Sequence, residues 1–303
     1  MEKKINKNGL TEEQFLAAYE PNKFERPSVT ADVLVFTVTN EEKENYRKLP
    51  KKALKLLMIK RGDHPDIGKW ALPGGFVNMD ESLEEAALRE LKEETNIDNI
   101  YMEQLYSWGD VGRDKRTRII TASYMSLVDS STLNVKAADD ADDAKWFTVS
   151  CKCCEENKIL NEKGWVFEKF FKLNLENGED KLTATVKASK IVEGKVTKIK
   201  REIIESNGIA FDHPKIIVYG IGRLKNQIKN TDIVFNLMPE LFTLTELQQV
   251  YEVILGTKLL KANFRRKISN ILVETDKYTK NGGHRPSKLY MFNPNYSNFE
   301  EIY

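Results

Sequence analysis

The chain of 303 residues is long enough for about two domains, each able to bury a hydrophobic core. Its formal net charge of +1 excludes a global electrostatic attraction to nucleic acids or membranes. With no signal peptide and no apolar run near the roughly 18 residues of a membrane helix, we expect a cytoplasmic protein without a membrane partner.

The first hundred residues predict two strands followed by an acidic helix. Residues 11–20 favour a short N-terminal helix, and the β-rich segments 28–38 and 54–61 predict strands on either side of an exposed lysine-rich loop at 41–52. A turn at Leu72-Pro73-Gly74-Gly75 then leads into a helix from about Ser82 to Thr95. Ser82 and Glu85 form a capping-box pattern at its start.

The acidic helix has one apolar and one acidic face. The apolar stripe consists of Leu83, Ala86, Ala87, Leu88 and Leu91. Glu90, Glu93 and Glu94 have the i, i+3, i+4 spacing that places their carboxylates on one face. Like charges at this spacing cost about 0.2–0.5 kcal/mol per pair, so a positive partner is expected, and Mg²⁺ prefers such oxygen ligands. The alternative is a solvated acidic helix after an ordinary turn.

This stretch resembles the Nudix box, a long and spaced motif. The residues in register are Gly75, Glu81, Arg89, Glu90, Leu91, Glu93, Glu94 and Ile97. Asn96 replaces the final glycine of the motif. The position follows a helix end, where a left-handed conformation is needed, and Asn is the next-best residue for it.

The Nudix resemblance implies a Mg²⁺- or Mn²⁺-dependent hydrolase with a mixed sheet between helices. By that resemblance, Glu90, Glu93 and Glu94 would bind the metal together with the Gly75 carbonyl, and Arg89 would orient a glutamate. These four side chains are the predicted catalytic group, and the general base cannot be assigned. The substrate would be a nucleoside diphosphate linked to another moiety, with ADP-ribose named first on family grounds.

The segment after the acidic helix predicts three strands, near 100–108, 119–128 and 144–149. The loop 109–118 between the first two supplies cationic donors that suit a polyphosphate, and the candidate ligand contacts are Arg113, Arg116 and Arg118, with Lys115 beside them. A solvated loop is the alternative. The crowded cysteines 151, 153 and 154 favour neither a disulfide framework nor a zinc site, in keeping with a reduced protein.

Residues 160–206 depart from a minimal Nudix domain. They predict a β-meander with hairpin turns at Asn177-Gly178 and Glu193-Gly194. We expect this insertion to extend the sheet or cover its edge, and a contribution to a dimer contact is a further possibility. A helix is predicted at 212–229, with Asp212 as its N-cap and Pro214 in the first turn.

The C-terminal segment predicts the order helix, turn, basic helix, basic hairpin. Residues 242–256 form an amphipathic helix with Thr243 and Glu246 as a capping box and Gly256 at its end. A second helix is predicted from Leu259 to Leu272, and a hairpin from Thr275 to Phe292. Nine basic and two acidic residues lie between Lys258 and Lys288, which leaves a net charge of −6 on the rest of the chain.

That order is typical of a winged helix. Its second helix suits the major groove of double-stranded DNA, and its hairpin suits the phosphate backbone. The candidate DNA-binding residues are Lys261, Asn263, Arg265, Arg266, Lys267, Arg285 and Lys288. A small domain for dimerisation or protein contacts is the alternative.

The C-terminal phrases F-T-L-T-E-L-Q-Q-V-Y-E, N-F-R-R-K-I and G-G-H-R-P-S-K-L-Y resemble those of the Nudix-related transcriptional regulators. The resemblance implies a homodimer in which a Nudix-like sensor of ADP-ribose or a sugar is joined to an operator-binding winged helix.

We therefore predict an α+β protein: a Nudix α/β/α sandwich at 1–230, with the insertion at 160–206, and a winged helix at 231–303. Two functions remain open, a Nudix hydrolase with an accessory winged helix and a transcriptional regulator that uses the Nudix fold as a sensor. A chain that does both is compatible with the sequence.

Overall fold

The computed structural model describes residues 4–41, 50–97, 100–131, 144–279 and 286–296. The α-helices in these ranges are α1 (Glu12–Ala17), α2 (Leu83–Thr95), α3 (His213–Gln227), α4 (Leu244–Leu255) and α5 (Lys261–Ile268), and short 3-10 helices occupy Pro21–Lys23 and Ile233–Leu237. The strands are β1 (Ser28–Asn40), β2 (Lys52–Lys60), β3 (Trp70–Ala71), β4 (Gly74–Phe76), β5 (Tyr101–Trp108), β6 (Ile119–Val128), β7 (Ala144–Asn161), β8 (Gly164–Asn177), β9 (Asp180–Glu193), β10 (Val196–Asn207), β11 (Leu272–Tyr278) and β12 (Lys288–Phe292).

One large mixed sheet contains the first ten strands. Its order is β10-β9-β8-β7-β2-β1-β6-β5, with β3 paired to β2 and β4 paired to β1. The β1–β6 pair is parallel, and the other pairs are antiparallel. This architecture confirms the predicted α+β class, and the short β4 places the Gly74-Gly75 turn beside the centre of the sheet.

The central strand β1 is buried on both faces, as expected for a sheet between helices. Ala31, Val33 and Val35 point to one face, where they cluster with Ala86, Ala87 and Leu91 of α2. Leu34, Phe36 and Val38 of β1 point to the other face and join a cluster that includes residues of α3, namely Ile216, Ile217, Ile221 and Leu224. The layers are therefore α2, sheet and α3.

The insertion forms the predicted meander and extends the sheet. Both predicted hairpin turns are present, and Gly178 and Gly194 have φ values of 55° and 57°, the left-handed region that glycine enters without strain. The strand predicted at 144–149 is longer than expected, because β7 continues to Asn161 in pairing with β8. The three cysteines lie on this extension, and all three are free thiols.

The C-terminal segment matches the predicted order of elements, with one correction. α4 begins at the predicted Thr243–Glu246 capping box and ends at Gly256 in the left-handed conformation. α5 is shorter than the predicted helix from Leu259 to Leu272: it covers only Lys261–Ile268, and Leu272 pairs with Phe292 in the hairpin instead. Residues 280–285 of the predicted hairpin lie outside the described residues, as do 42–49 of the lysine-rich loop.

The hydrophobic cluster under α3 continues into the C-terminal helices, where it includes Leu247, Tyr251 and Phe264. The predicted division of the chain at residue 230 therefore coincides with no break in the core, and it stays a prediction. No helix within the described ranges is both long and apolar enough to cross a membrane.

Candidate functional site

The acidic helix α2 is fixed at both ends by local interactions. The Ser82 hydroxyl accepts a hydrogen bond from the Glu85 N–H, and the Glu85 side chain accepts one from the Ser82 N–H, which completes the predicted capping box. At the other end Asn96 has φ 56° and ψ 23°. The expected left-handed cap is confirmed, so the departure from the Nudix pattern preserves the backbone geometry.

Arg89 is the centre of the acidic face. Its guanidinium binds Glu81 through two hydrogen bonds of 2.9 and 2.7 Å, and it also contacts Glu90 at 2.7 Å and Glu93 at 3.2 Å. It donates a further bond to the Phe76 carbonyl at 3.0 Å. The Arg89 hydrogen bonds, helped by the Asn78 N–H, lower the pKa of Glu81 to about 2. The Arg89 guanidinium therefore contacts three of the four motif glutamates.

Glu94 faces the Gly74-Gly75 turn. Its carboxylate accepts a hydrogen bond of 2.8 Å from the Gly74 N–H. Burial, with smaller contributions from the neighbouring carboxylates of Glu90 and Asp32, raises its pKa to about 7. A negative charge on Glu94 is thus destabilised near neutral pH unless a cation approaches it.

The turn requires its two glycines for space. A Cβ on Gly74, whose φ is +149°, would lie 2.2 Å from the Ala31 carbonyl oxygen, and a Cβ on Gly75 would lie 2.4 Å from the Glu90 Oε1. The Gly75 backbone therefore lies close to the Glu90 carboxylate, and the metal-binding role of the Gly75 carbonyl stays a prediction.

A cleft of about 220 Å³ opens beside this turn. Its wall includes Gly74, Gly75 and Phe76, which are shared with the acidic group, and its other lining residues are Thr30, Asp32, Ile59, Arg61, Ala71, Leu72, Arg113, Asp114, Arg116, Ile119, Phe211 and His213. Three arginines and two aspartates line this cleft, so it favours an anionic ligand.

The three predicted arginines of loop 109–118 have different positions. Arg113 lines the cleft and is held by Asp212 through hydrogen bonds of 3.1 and 2.6 Å. Arg116 also lines it, and its guanidinium lies 5.2 Å from the Phe76 ring. Arg118 is exposed, donates to the Gly109 carbonyl at 2.8 Å and is not part of the cleft wall. Its ligand contact stays a prediction, as do those of the other two.

The cleft also contains residues that the sequence did not single out, notably Arg61, Asp32, Phe211 and His213. Phe211 has an unusual positive φ of 51° for a bulky residue, and the Arg61 guanidinium lies 4.6 Å from its ring. The sequence contained only a weak signal for these cleft residues. Asp212, His213 and Pro214 predict the start of a helix, but they do not indicate that this start lies in the cleft.

A buried polar chain supports the floor of the cleft. Thr30 donates to Thr121 at 2.6 Å, and Thr121 donates to Asp32 at 2.7 Å. On the other side His213 Nδ1 accepts the Leu72 N–H at 2.9 Å, and its Nε2 lies 4.0 Å from Asp32. Burial lowers the pKa of His213, so the imidazole is neutral and its proton lies on Nε2, facing Asp32.

The acidic group is not a preformed metal site. Over the described part of the chain, no three His, Cys, Asp or Glu side chains are arranged so that they could hold one metal ion. The hard oxygen donors nevertheless suit Mg²⁺ chemically, and Arg89 already shows that a positive charge is stable among Glu81, Glu90 and Glu93.

The predicted DNA-binding residues of α5 are all exposed. Lys261, Asn263, Arg265, Arg266 and Lys267 are exposed, whereas Phe264 and Ile268 are buried in the hydrophobic core. Lys267 donates to the Lys229 carbonyl at 2.5 Å, and Lys288 of β12 pairs with Glu274 at 2.5 Å. Arg285 lies outside the described residues.

Comparisons with known families agree with both halves of this description. Residues 29–151 match the NUDIX domain, and residues 234–292 match the NrtR DNA-binding winged helix domain. Over 289 residues the chain is 31% identical to the ADPR responsive transcriptional repressor NtrR of Acinetobacter baylyi, covering 94% of this chain and 90% of that protein.

Two further matches cover a part of the chain and most of it, respectively. Over 96 residues the chain is 40% identical to an ADP-ribose pyrophosphatase of Methanocaldococcus jannaschii, covering 32% of this chain and 56% of that protein. The structure of Shewanella oneidensis NrtR complexed with a 27mer DNA matches with a TM-score of 0.56 and 26% identity, covering 88% of this chain and 94% of that one.

Proposed function

Because this chain belongs to the family of Nudix-related regulators that carry an NrtR DNA-binding winged helix, we propose that it is a DNA-binding transcriptional repressor whose Nudix domain binds ADP-ribose and cleaves its pyrophosphate. The observation that carries the proposal is the intact acidic group around Arg89, at the edge of a cleft lined by arginines, in the same chain as an exposed basic helix.

The acidic group supplies the metal ligands in this proposal. Glu90, Glu93 and Glu94 would hold Mg²⁺ or Mn²⁺ together with the Gly75 carbonyl. The raised pKa of Glu94 supports this assignment, because a nearby cation would favour the charged carboxylate that burial now disfavours. A bound divalent ion would supply charge screening and an activated water for pyrophosphate cleavage.

The cleft residues orient the substrate. Arg61, Arg113 and Arg116 offer guanidinium groups to the phosphates, and the latter two are held in place by aspartates. The Phe211 ring gives the nucleoside a flat apolar wall. Arg89 keeps Glu81, Glu90 and Glu93 on one side of the helix, so the carboxylates face a common region.

Hydrolysis is tested with ADP-ribose and Mg²⁺ or Mn²⁺. Glu93→Gln should remove most of the turnover, because it deletes a charged ligand, and the fold should survive because the Glu93 side chain is 61% exposed. Glu84→Gln is the matched control: this glutamate lies on the exposed first turn of the same helix, and its replacement should leave turnover unchanged. Absence of metal-dependent turnover in the unaltered protein contradicts the hydrolase part of the proposal.

The second candidate function is sensing without hydrolysis. It is favoured by the arrangement of Arg89, whose guanidinium pairs with three motif glutamates at once. A thermal-shift titration with ADP-ribose separates the two functions. Stabilisation with and without Mg²⁺, in the absence of turnover, identifies a sensor, whereas absence of any shift excludes both.

DNA binding is assigned to α5 and the hairpin, with a homodimer that presents two such helices to a short palindromic operator. Residues 1–230 are proposed as the sensor and 231–303 as the DNA-binding domain. A gel-shift titration with the DNA upstream of the gene, at two salt concentrations and with added ADP-ribose, tests this part. Binding that is unaffected by Arg265→Ala and Arg266→Ala together would leave the C-terminal segment as a dimerisation domain.

A further inference from the structure

A second cavity, of about 360 Å³, lies between the C-terminal half of α3 and the meander strands. It shares no lining residue with the cleft beside α2. Its apolar lining residues include Phe171, Val186, Val218 and Ile221. Gly222 of α3 also lines the cavity and is exposed, so its position defines the mouth here, and a Cβ added there would meet no heavy atom within 4 Å.

The charged residues that line this cavity are all cations. Arg201, Arg223 and Lys225 line it, and no aspartate or glutamate does. Within the described parts of the chain, the Arg223 side chain has no ion pair or hydrogen bond. The Arg201 guanidinium lies 4.7 to 5.6 Å from the Tyr219, Tyr106 and Trp108 rings. Lys225 donates to the Cys151 carbonyl at 3.5 Å, and among the described residues neither cation pairs with a carboxylate.

This charge arrangement differs from the rest of the protein. Outside the basic segment from Lys258 to Lys288 the chain has a net charge of −6, and the cations lining the first cleft are largely held by aspartates. Three cations without carboxylate partners beside an apolar wall attract an anion, and the low-polarity surroundings strengthen that attraction. The apolar wall adds the hydrophobic contact that a purely inorganic anion would not use.

We propose that this cavity binds a small amphipathic anion, an aliphatic or aromatic molecule with one carboxylate or sulfonate head. The apolar part packs against Phe171 and Val218, and the head lies between Arg201, Arg223 and Lys225. The cavity volume falls at the lower end of the range of about 300–1,000 Å³ that is usual for small-molecule sites, so the occupant is a compact ligand.

Gly222 is consistent with this role. A glycine inside a helix costs roughly 0.5–1 kcal/mol relative to alanine. Packing does not require the glycine here, because the space around its Cα is open. The absent side chain keeps the mouth of the cavity clear.

The probe for the experiment is 8-anilinonaphthalene-1-sulfonate, which combines an aromatic body with one anionic head. Its fluorescence is titrated with the full-length protein and then competed with decanoate and, separately, with uncharged 1-decanol. Arg223→Glu should weaken dye binding at least tenfold, and Gly222→Phe should abolish it by filling the mouth. Lys198→Glu is the control: it makes the same charge change on exposed β10, outside the cavity, and should alter the affinity less than twofold.

Each outcome of these titrations either supports the proposed site or contradicts it. Competition by decanoate but not by 1-decanol, together with loss of binding in the two cavity variants, supports the site. Dye affinity that is unchanged in Gly222→Phe and Arg223→Glu overturns it, because binding then occurs elsewhere. The proposal is also overturned if the wild-type protein binds neither the dye nor decanoate. This holds equally if sedimentation shows that a second copy of the chain covers this surface. Circular dichroism of each variant verifies the fold.

Discussion

Removal of the buried ion pair between Arg113 and Asp212 should destabilise the protein strongly. The two side chains are 5% and 7% exposed and share two hydrogen bonds, and Lys215 lies 3.4 Å from the same carboxylate. Asp212→Asn removes the negative charge and leaves both cations facing a neutral amide. Breaking a buried pair costs about 3–5 kcal/mol, and we expect about 3 kcal/mol because the amide oxygen still accepts one hydrogen bond.

The assay is urea unfolding, followed by circular dichroism, with Glu156→Gln as the control. Glu156 pairs with Lys169 at 2.7 Å, but these side chains are 48% and 38% exposed, so its loss should cost at most about 1 kcal/mol. A double variant, Arg113→Met with Asp212→Leu, should recover most of the lost stability, because apolar side chains of similar size replace the pair and Lys215 keeps its contact with Asp110 at 3.1 Å. Equal losses in Asp212→Asn and Glu156→Gln would refute the reasoning.

Three further predictions concern the helix cap, the acidic group and DNA. In thermal unfolding, Asn96→Gly should be neutral or slightly stabilising, whereas Asn96→Val should cost about 1 kcal/mol or more, because a β-branched residue resists φ 56°. Folding raises the pKa of Glu94 from 4.5 to about 7, so the wild type loses stability as the pH rises from 4.5 to 7. In urea unfolding with EDTA, Glu94→Gln should therefore be more stable than the wild type by on the order of 3 kcal/mol above pH 7. Below pH 4.5 the two proteins should have almost the same stability. In gel shifts, Arg266→Ala should reduce the preference for operator over random duplex by roughly 1–3 kcal/mol, whereas Lys288→Ala should weaken both duplexes alike.

The features predicted correctly from the sequence are mostly those that short-range interactions determine. The capping boxes of α2 and α4 and the left-handed cap at Asn96 each involve residues three or four positions apart. The hairpin turns at Gly178 and Gly194 are equally local. In each case the residues that form the structure lie within a few positions of one another, so the sequence pattern alone is enough to predict it.

The cleft could not be predicted, because it is formed by contacts between residues that are far apart in the sequence. His213 meets Leu72 across 141 positions, and Arg113 meets Asp212 across 99. Asp212 was expected to cap α3 through its side chain, yet it makes no cap hydrogen bond. A helix cap contributes about 1 kcal/mol, whereas an unpaired buried Arg113 would cost several, so the long-range partner prevails. The position of α3 against the cleft could not be deduced without the tertiary structure.

The same helix connects the cleft with the DNA-binding segment. Its first residue, His213, holds the backbone of the cleft at Leu72, and just after its last turn the Lys229 carbonyl accepts a hydrogen bond from Lys267 of α5. A helix of 15 residues spans about 22 Å. A second contact joins the two segments, from Gln249 of α4 to the Pro50 carbonyl at 3.3 Å. Helix α3 is therefore hydrogen-bonded to the cleft at its start and to α5 just after its end, so one helix joins the two segments.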